Sequence, residues 1–306
     1  MAAEGILMEE LNGSVPEELS TDIVKDVARG SSVLRLSRSV SMKSDRMKVP
    51  VMTDGVGAYW VGEGKRIKTS KAVWIYPELV AKKMAIIVPA TKEKLKDSVF
   101  DVFSEVKDSI TEAFYTLIDA SCLFGTDSPF TTNIFKSATD SGNLIVRGTN
   151  ANPEKKIGGL DLDVSDVMAL VEDSGTDVNG FTAHYGIKND LRKLRDANGN
   201  ALFVPETDQN EFYSNPIDFS RNNAWDKTKA DVIAGDFDKA LVGIRDGIEY
   251  EILKEATLQN TLDADGKPIS LAEQDLIAIK ATMRIGFLVV KDAAFAALVP
   301  AGTTGE

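Results

Sequence analysis

Few side chains in this 306-residue chain are arranged to do chemistry. His184 is the only histidine, so a two-histidine metal site cannot form within one copy. A serine–histidine–aspartate arrangement would have to use it, and Ala183-His184-Tyr185 carries no nucleophile motif, so a structural histidine is expected. There is no Gly-Lys-Ser/Thr phosphate loop. Gly55-Val56-Gly57 lacks the third glycine and following helix of a dinucleotide site. Asp161, Asp163 and Asp166 look like calcium ligands, but the glycine and closing glutamate of a calcium loop are missing. Acids in the first turn of a helix, where the dipole favours them, account for all three. Asp263-Ala264-Asp265-Gly266 reads as a turn. No catalytic, cofactor or metal site is expected, and the chain reads as a non-enzyme.

What remains is charge suited to contact. Lys65, Arg66, Lys68 and Lys71 stand against Glu63 alone, in a chain of net charge −12. A basic cluster on an acidic protein fits an acidic patch on another copy, through contacts that salt weakens. Segment 161–187 could supply that patch: Asp161, Asp163, Asp166, Glu172, Asp173 and Asp177 occur there without a lysine or arginine. Each stretch also suits a plain solvated surface, and the residues alone leave both readings open.

These charges need elements to carry them. Residues 47–52 read as a strand, with β-branched Val49 and Val51 and with Pro50 marking an edge or bend. Trp74-Ile75-Tyr76 and Ala85-Ile86-Ile87-Val88 read as return strands, broken by Pro77 and ended by Pro89. Gly55, Gly57, Gly62 and Gly64 permit turns between them. The basic cluster therefore sits at the tip of a long hairpin. A helix follows from residue 98 to about 122, roughly 37 Å long at 1.5 Å per residue. Ser98 and Asp101 approximate a capping box. Val99, Phe103, Val106, Ile110, Ala113 and Leu117 form one seam, widened by Phe114 and Ile118, and Gly125 is the terminator. Such a hairpin and helix predict a part that reaches toward other copies. An ordinary core helix beside a solvated loop fits the same residues.

Elsewhere, Pro16-Glu17-Glu18 opens a short helix carrying Leu19, Ile23 and Val27, and residues 33–42 predict extended chain. Residues 126–160 read as loop with short strands, 163–173 as helix, 181–183 as strand and 188–196 as helix ending at Asn198-Gly199, which makes a mixed α/β unit. Residues 206–230 read as loop. Short strands are predicted at 232–234, 240–244 and 248–253, then a connection over 255–269 and a long strand over 275–290.

Ala58-Tyr59-Trp60-Val61-Gly62-Glu63-Gly64, Thr69-Ser70-Lys71-Ala72 and Val88-Pro89-Ala90-Thr91-Lys92-Glu93 resemble the major capsid proteins of tailed bacteriophages, which have the Hong Kong 97-like fold. The nearest group is that of phages and prophages of Gram-positive bacteria. The resemblance continues through Ile110-Thr111-Glu112-Ala113-Phe114-Tyr115. It returns at Gly235-Asp236-Phe237-Asp238-Lys239, Ala281-Thr282-Met283-Arg284 and Ala294-Phe295-Ala296-Ala297-Leu298-Val299-Pro300. It covers about residues 47–300 and is weak over roughly 135–230. The fold it implies is α+β, with an N-terminal arm over 1–46 and an extended loop with flanking strands over 47–89. A spine helix within the peripheral domain follows over 90–125, and an axial domain over 126–235. Peripheral-domain strands and axial connections occupy 236–290, and 291–306 return to the axial domain.

The function this implies is that of a structural shell protein. Copies would self-assemble as pentamers and hexamers into an icosahedral virion capsid, built in the bacterial cytoplasm around non-specifically bound double-stranded DNA. The arm would clasp an adjacent subunit. A portal protein is an implied partner, and so is a separate scaffolding protein, because the sequence leaves no room for a long scaffolding extension. Some members join a loop lysine to a neighbour's asparagine. Lys65, Lys68 and Lys71 lie in the matching loop, but no acceptor asparagine aligns, and crosslinking is not expected. Reversing the four basic residues of the tip should leave a folded monomer that assembles poorly.

Composition agrees. A hydrophobic fraction of 43% fits a folded protein, and Cys122, the only cysteine, excludes an intrachain disulfide. No apolar run reaches the roughly 20 residues that span a bilayer, and the first residues have no signal-peptide pattern, so no membrane partner is expected. The acidic balance argues against sequence-specific DNA binding. Two other functions stand beside the main one: an encapsulin-type nanocompartment shell with the same fold, and a soluble enzyme of unknown activity.

Overall fold

A computed structural model describes residues 30–54, 58–63, 65–66, 69–91, 99–151, 159–195, 200, 211–262, 266–274 and 276–301. The helix expected near Leu19 and the capping residue Ser98 lie outside these, as does the end of the helix expected over 188–196. In chain order the elements begin with helix α1 (Ser32–Leu36) and strands β1 (Arg38–Ser41), β2 (Arg46–Lys48), β3 (Val51–Asp54), β4 (Val73–Ile75), β5 (Glu78–Val80) and β6 (Lys82–Thr91). Then come α2 (Val99–Asp119), α3 (Ile134–Asp140), β7 (Leu144–Val146), α4 (Leu160–Asp173), β8 (Gly180–His184) and α5 (Ile187–Lys193). The rest is β9 (Glu211–Phe212), β10 (Asn215–Ser220), β11 (Val232–Gly235), β12 (Ala240–Leu253), β13 (Thr257–Leu262), β14 (Pro268–Ser270), β15 (Leu276–Val289) and β16 (Phe295–Val299).

Two sheets organise the body. The first is four-stranded in the order β1-β12-β15-β6, with β12 and β15, 14 residues each, forming its antiparallel centre. Helix α2 covers one face. Its Ile110, Phe114 and Ile118, spaced by four, join Val242, Met283, Ile285 and Phe287 in one core. Ala113 and Leu117, expected in the seam, are exposed on the flank of that ridge. The side chains of Val99, Phe103 and Val106 lie outside the description. Helix α2 passes into a π turn, Ala120–Phe124, and stops at Gly125, whose φ of 70° is the left-handed stop a glycine supplies.

The second sheet is six-stranded, in the order β7-β16-β11-β8-β10-β9. Its central strands separate two cores, which explains their unbroken apolar runs. Phe295 and Ala297 of β16 face the α2 core, while Ala296 and Leu298 face the core built by α4 and α5. Ile233 of β11 likewise points one way, and Val232 and Ala234 the other. The architecture is α+β, as expected.

Several local expectations are corrected. Residues 33–36 are helical, because Ser31 caps Leu34 and starts a turn before the chain extends into β1. The expected strand over 47–52 is two strands, β2 and β3, parted at Val49 and Pro50. Pro89 does not end β6, which runs on to Thr91. Strand β6 lies at the edge of its sheet, where a missing N–H is tolerated. The two short strands at 240–253 are one strand with two bulges, between Ile244 and Asp246 and between Asp246 and Glu249. The connection over 255–269 contains a hairpin, β13–β14, and the loop over 206–230 contains β9 and β10.

Candidate functional site

Strands β2 to β5 leave the body as a two-stranded ribbon. Strands β2 and β5 pair first, Met47 opposite Leu79. Val49 N–H donates to the Pro77 carbonyl at 3.0 Å, and β3 then pairs with β4, Met52 opposite Trp74. Among the described residues no third strand joins this ladder. A lone two-stranded ribbon is marginal in water and needs a surface to lie on. Its side chains agree. All three residues of β4 are exposed, so neither ribbon face is buried there. Met52, Tyr59, Val61, Trp74, Ile75 and Tyr76 are about half exposed, and Trp60 is exposed completely. Large apolar side chains left exposed together on one projection are the kind of surface that another molecule covers.

The basic tip sits on this ribbon. Lys65, Arg66 and Lys71 are exposed, and among the described residues they form no ion pair. Lys68 lies outside the description. Trp60 stands before these charges, and Trp74 and Tyr76 stand after them. The missed signal was Trp60, Trp74 and Tyr76 in a segment too glycine-rich to fold around them.

The acidic group behaves differently. Asp163 is wholly buried and cannot meet another subunit, which corrects its assignment as a contact. Its carboxylate accepts from Gly148 N–H at 2.7 Å, Asn150 N–H at 2.9 Å and Asn150 Nδ2 at 3.0 Å, and so orders the preceding loop. Asp166 takes the Asn150 side chain at 2.7 Å and remains exposed. Asp161 is half-buried, and its carbonyl accepts from Tyr213 Oη at 2.9 Å. Of the three, Asp166 alone presents an open carboxylate. His184 accepts from Gly186 N–H through Nδ1 at 3.0 Å, and burial lowers its pKa, with Lys227 adding to the effect. It is a structural histidine at the end of β8. Among the described residues no cluster of His, Cys, Asp or Glu could hold a metal ion, and no helix is long and apolar enough to cross a membrane.

Two footings tie the ribbon and the start of α1 to the body. At the ribbon's root, Leu79 and Met42 are buried against Leu288 on the sheet face opposite α2. Beside them Asp45 pairs with Arg245 and with Arg284, the latter at 3.5 Å, and Asp246 lies 3.6 Å from Arg284. Truncating a buried leucine typically costs about 2–5 kcal/mol, whereas each partly exposed ion pair contributes about 1 kcal/mol or less. The apolar contact is the stronger anchor.

The second footing is Asp119, at the end of α2. It is buried and accepts from Ser31 Oγ at 2.5 Å, Ser32 N–H at 3.1 Å, Val33 N–H at 3.1 Å and Asn222 Nδ2 at 2.7 Å. Burial pushes its pKa up, against the pull of these donors. One carboxylate thus joins the start of α1, the end of α2 and the turn after β10. An acid at a helix C-terminus opposes the dipole, and that mismatch at Ile118-Asp119-Ala120 was the available signal.

Comparison with known proteins places this geometry. Residues 12–299 match the model of the phage capsid family. The major capsid protein of Staphylococcus phage 80alpha is 33% identical over 302 residues, covering 97% of this chain and 88% of the relative. A probable major capsid protein of Mycobacterium phage L5 is 22% identical over 90% of this chain and 86% of its own length. A solved structure from Microbacterium phage Oxtober96 superposes with a TM-score of 0.76 at 28% identity, covering 96% of each chain.

Proposed function

The chain belongs to the phage capsid family, and on that premise we propose that its extended hairpin joins one copy to the next by laying an apolar ribbon on a neighbour. It is a major capsid protein with the Hong Kong 97-like fold, a structural component of a tailed-phage shell. Its copies associate with one another in the virion capsid. The finer reading is ours. The four-stranded sheet and α2 form a peripheral domain. The six-stranded sheet forms an axial domain that gathers around fivefold and sixfold positions, in pentamers and hexamers. A separate scaffolding protein guides assembly, a portal protein occupies one vertex, and double-stranded DNA is enclosed without sequence preference.

The exposed ribbon is the observation that carries the hairpin's role. Burying one large apolar side chain contributes about 1.5–3 kcal/mol, against about 1 kcal/mol or less for an exposed ion pair. Trp60, Trp74 and Tyr76 therefore supply most of the contact energy. Lys65, Arg66, Lys68 and Lys71 steer the approach, with Asp166 as one acceptor and Asp161 at its margin.

Negative-stain electron microscopy across a concentration series tests this. Replacing Trp60, Trp74 and Tyr76 with serine should leave a folded chain and raise the concentration needed for shells by about 30-fold or more. Reversing the four basic residues to glutamate should weaken assembly less, and more at low salt than at high. Shells of normal yield from the serine variant would overturn the ribbon's role.

A further inference from the structure

We infer that Gly243 and Gly286 are positioning residues for assembly: the pair forms a socket in the four-stranded sheet that seats Leu79 and fixes the angle at which the hairpin leaves the body. The inference rests on the hairpin being the contact between copies. Gly243 of β12 lies directly opposite Gly286 of β15, three pairs in from the end of the ladder where β12 begins and β15 finishes. Glycine weakens a strand interior, and neither residue has the positive φ that would require one. Close approach is what requires them. A Cβ on Gly243 would lie 2.4 Å from Met42 Sδ and 2.6 Å from Leu79 Cδ2. A Cβ on Gly286 would lie 3.0 Å from the Val80 carbonyl oxygen and 3.2 Å from Leu79 Cδ1. Both openings face the same side, and Leu79, wholly buried, fills them.

The neighbouring pairs behave otherwise. Val242 opposite Phe287, and Ile244 opposite Ile285, point to the other face and pack in the α2 core. Filling the socket therefore leaves the α2 side of the sheet unchanged. It lifts β5, and β5 is the short end of a lever. The clamp is three residues of β5, roughly 10 Å, whereas Glu63 lies 16 residues beyond Leu79, at most about 53 Å when extended. A displacement near 1 Å at the root becomes several ångströms at the tip.

The test is a distance within one chain. Spin labels on E63C and K136C join the exposed tip to exposed α3 in dilute full chain, mixed with unlabelled chain so that only intrachain distances register. Cys122 is buried and its thiol pKa is pushed far up, so it stays unlabelled. G243A/G286A should shift the mean distance by several ångströms, with far-UV circular dichroism unchanged. If that variant does not fold, L79A decides, because it empties the socket without crowding it and should broaden the distribution. An unaltered distribution in whichever variant is read overturns the socket. A shifted distance in a chain that still builds shells at the parent's concentration would support the socket and remove the hairpin contact, so the two readings fail separately.

Discussion

Strands β16 and β4 are both short, apolar and free of charged residues. Every residue of Phe295–Val299 is buried, and every residue of Val73–Ile75 is exposed. Strand β16 has a partner on each side and a core on each face. Among the described residues strand β4 has one partner and no core. Strand chemistry alone does not decide burial; the number of surfaces the chain brings to a strand does. The body supplies its own surfaces, and the ribbon, on the function proposed above, takes its surface from a neighbouring copy.

Measuring how each region responds when the chain is alone would sharpen or break that contrast. The largest effect belongs to the body. Phe295→Ala should cost about 3–5 kcal/mol in urea unfolding of dilute chain, while Trp74→Ser should fall within about 0.5 kcal/mol of the parent. A large loss from Trp74→Ser would mean that the ribbon packs on its own chain after all. The next effect belongs to the buried junction. Asp119→Asn replaces an acceptor-only carboxylate with an amide that turns a donor toward Ser32 and Asn222. A loss of about 2–3 kcal/mol should appear as a lower melting temperature, and an unchanged melting temperature would remove Asp119 as a footing. The smallest effect is one of pH. Arg147 donates to Asp190 at 2.7 Å and to Asp231 at 3.0 Å, and its hydrogen bond holds the Asp190 pKa below the usual carboxylate value. A lowered pKa contributes stability above the unfolded value, near 4, which is lost as pH falls through the folded value. Arg147→Gln should therefore flatten the acid limb of the melting profile below about pH 4. An acid limb as steep as the parent's would contradict that assignment.

The sequence disclosed the parts that follow a period or end at a marked residue. Strand β15 announces itself by alternation over 14 residues, and α2 by its four-residue ridge and Gly125. Family order supplied the hairpin's role. Periodicity could not show that Gly243 and Gly286 face each other, because register between β12 and β15 is a long-range property that two bulges then shift. Asp163 illustrates the same gap. An acid in the first turn of a helix reads as solvated until Gly148 and Asn150, well before it in sequence, fold back to donate to it. The exposed aromatic residues of the ribbon carry no periodic signal, because burial or exposure of Trp60, Trp74 and Tyr76 depends on which surfaces the rest of the chain brings to them.

Pro89 has a consequence for what a crowded solution of these chains does. Among the described residues strand β6 has no neighbour on its outer side, and open edges invite another chain to add itself strand by strand without limit. Along this edge Lys82 and Lys83 place two exposed charges, and Pro89 removes a donor from the row. A molecule made to be packed beside many copies of itself thus carries a guard against the wrong kind of packing. The edge that would seed fibres is blunted, and growth is left to contacts that can close on themselves.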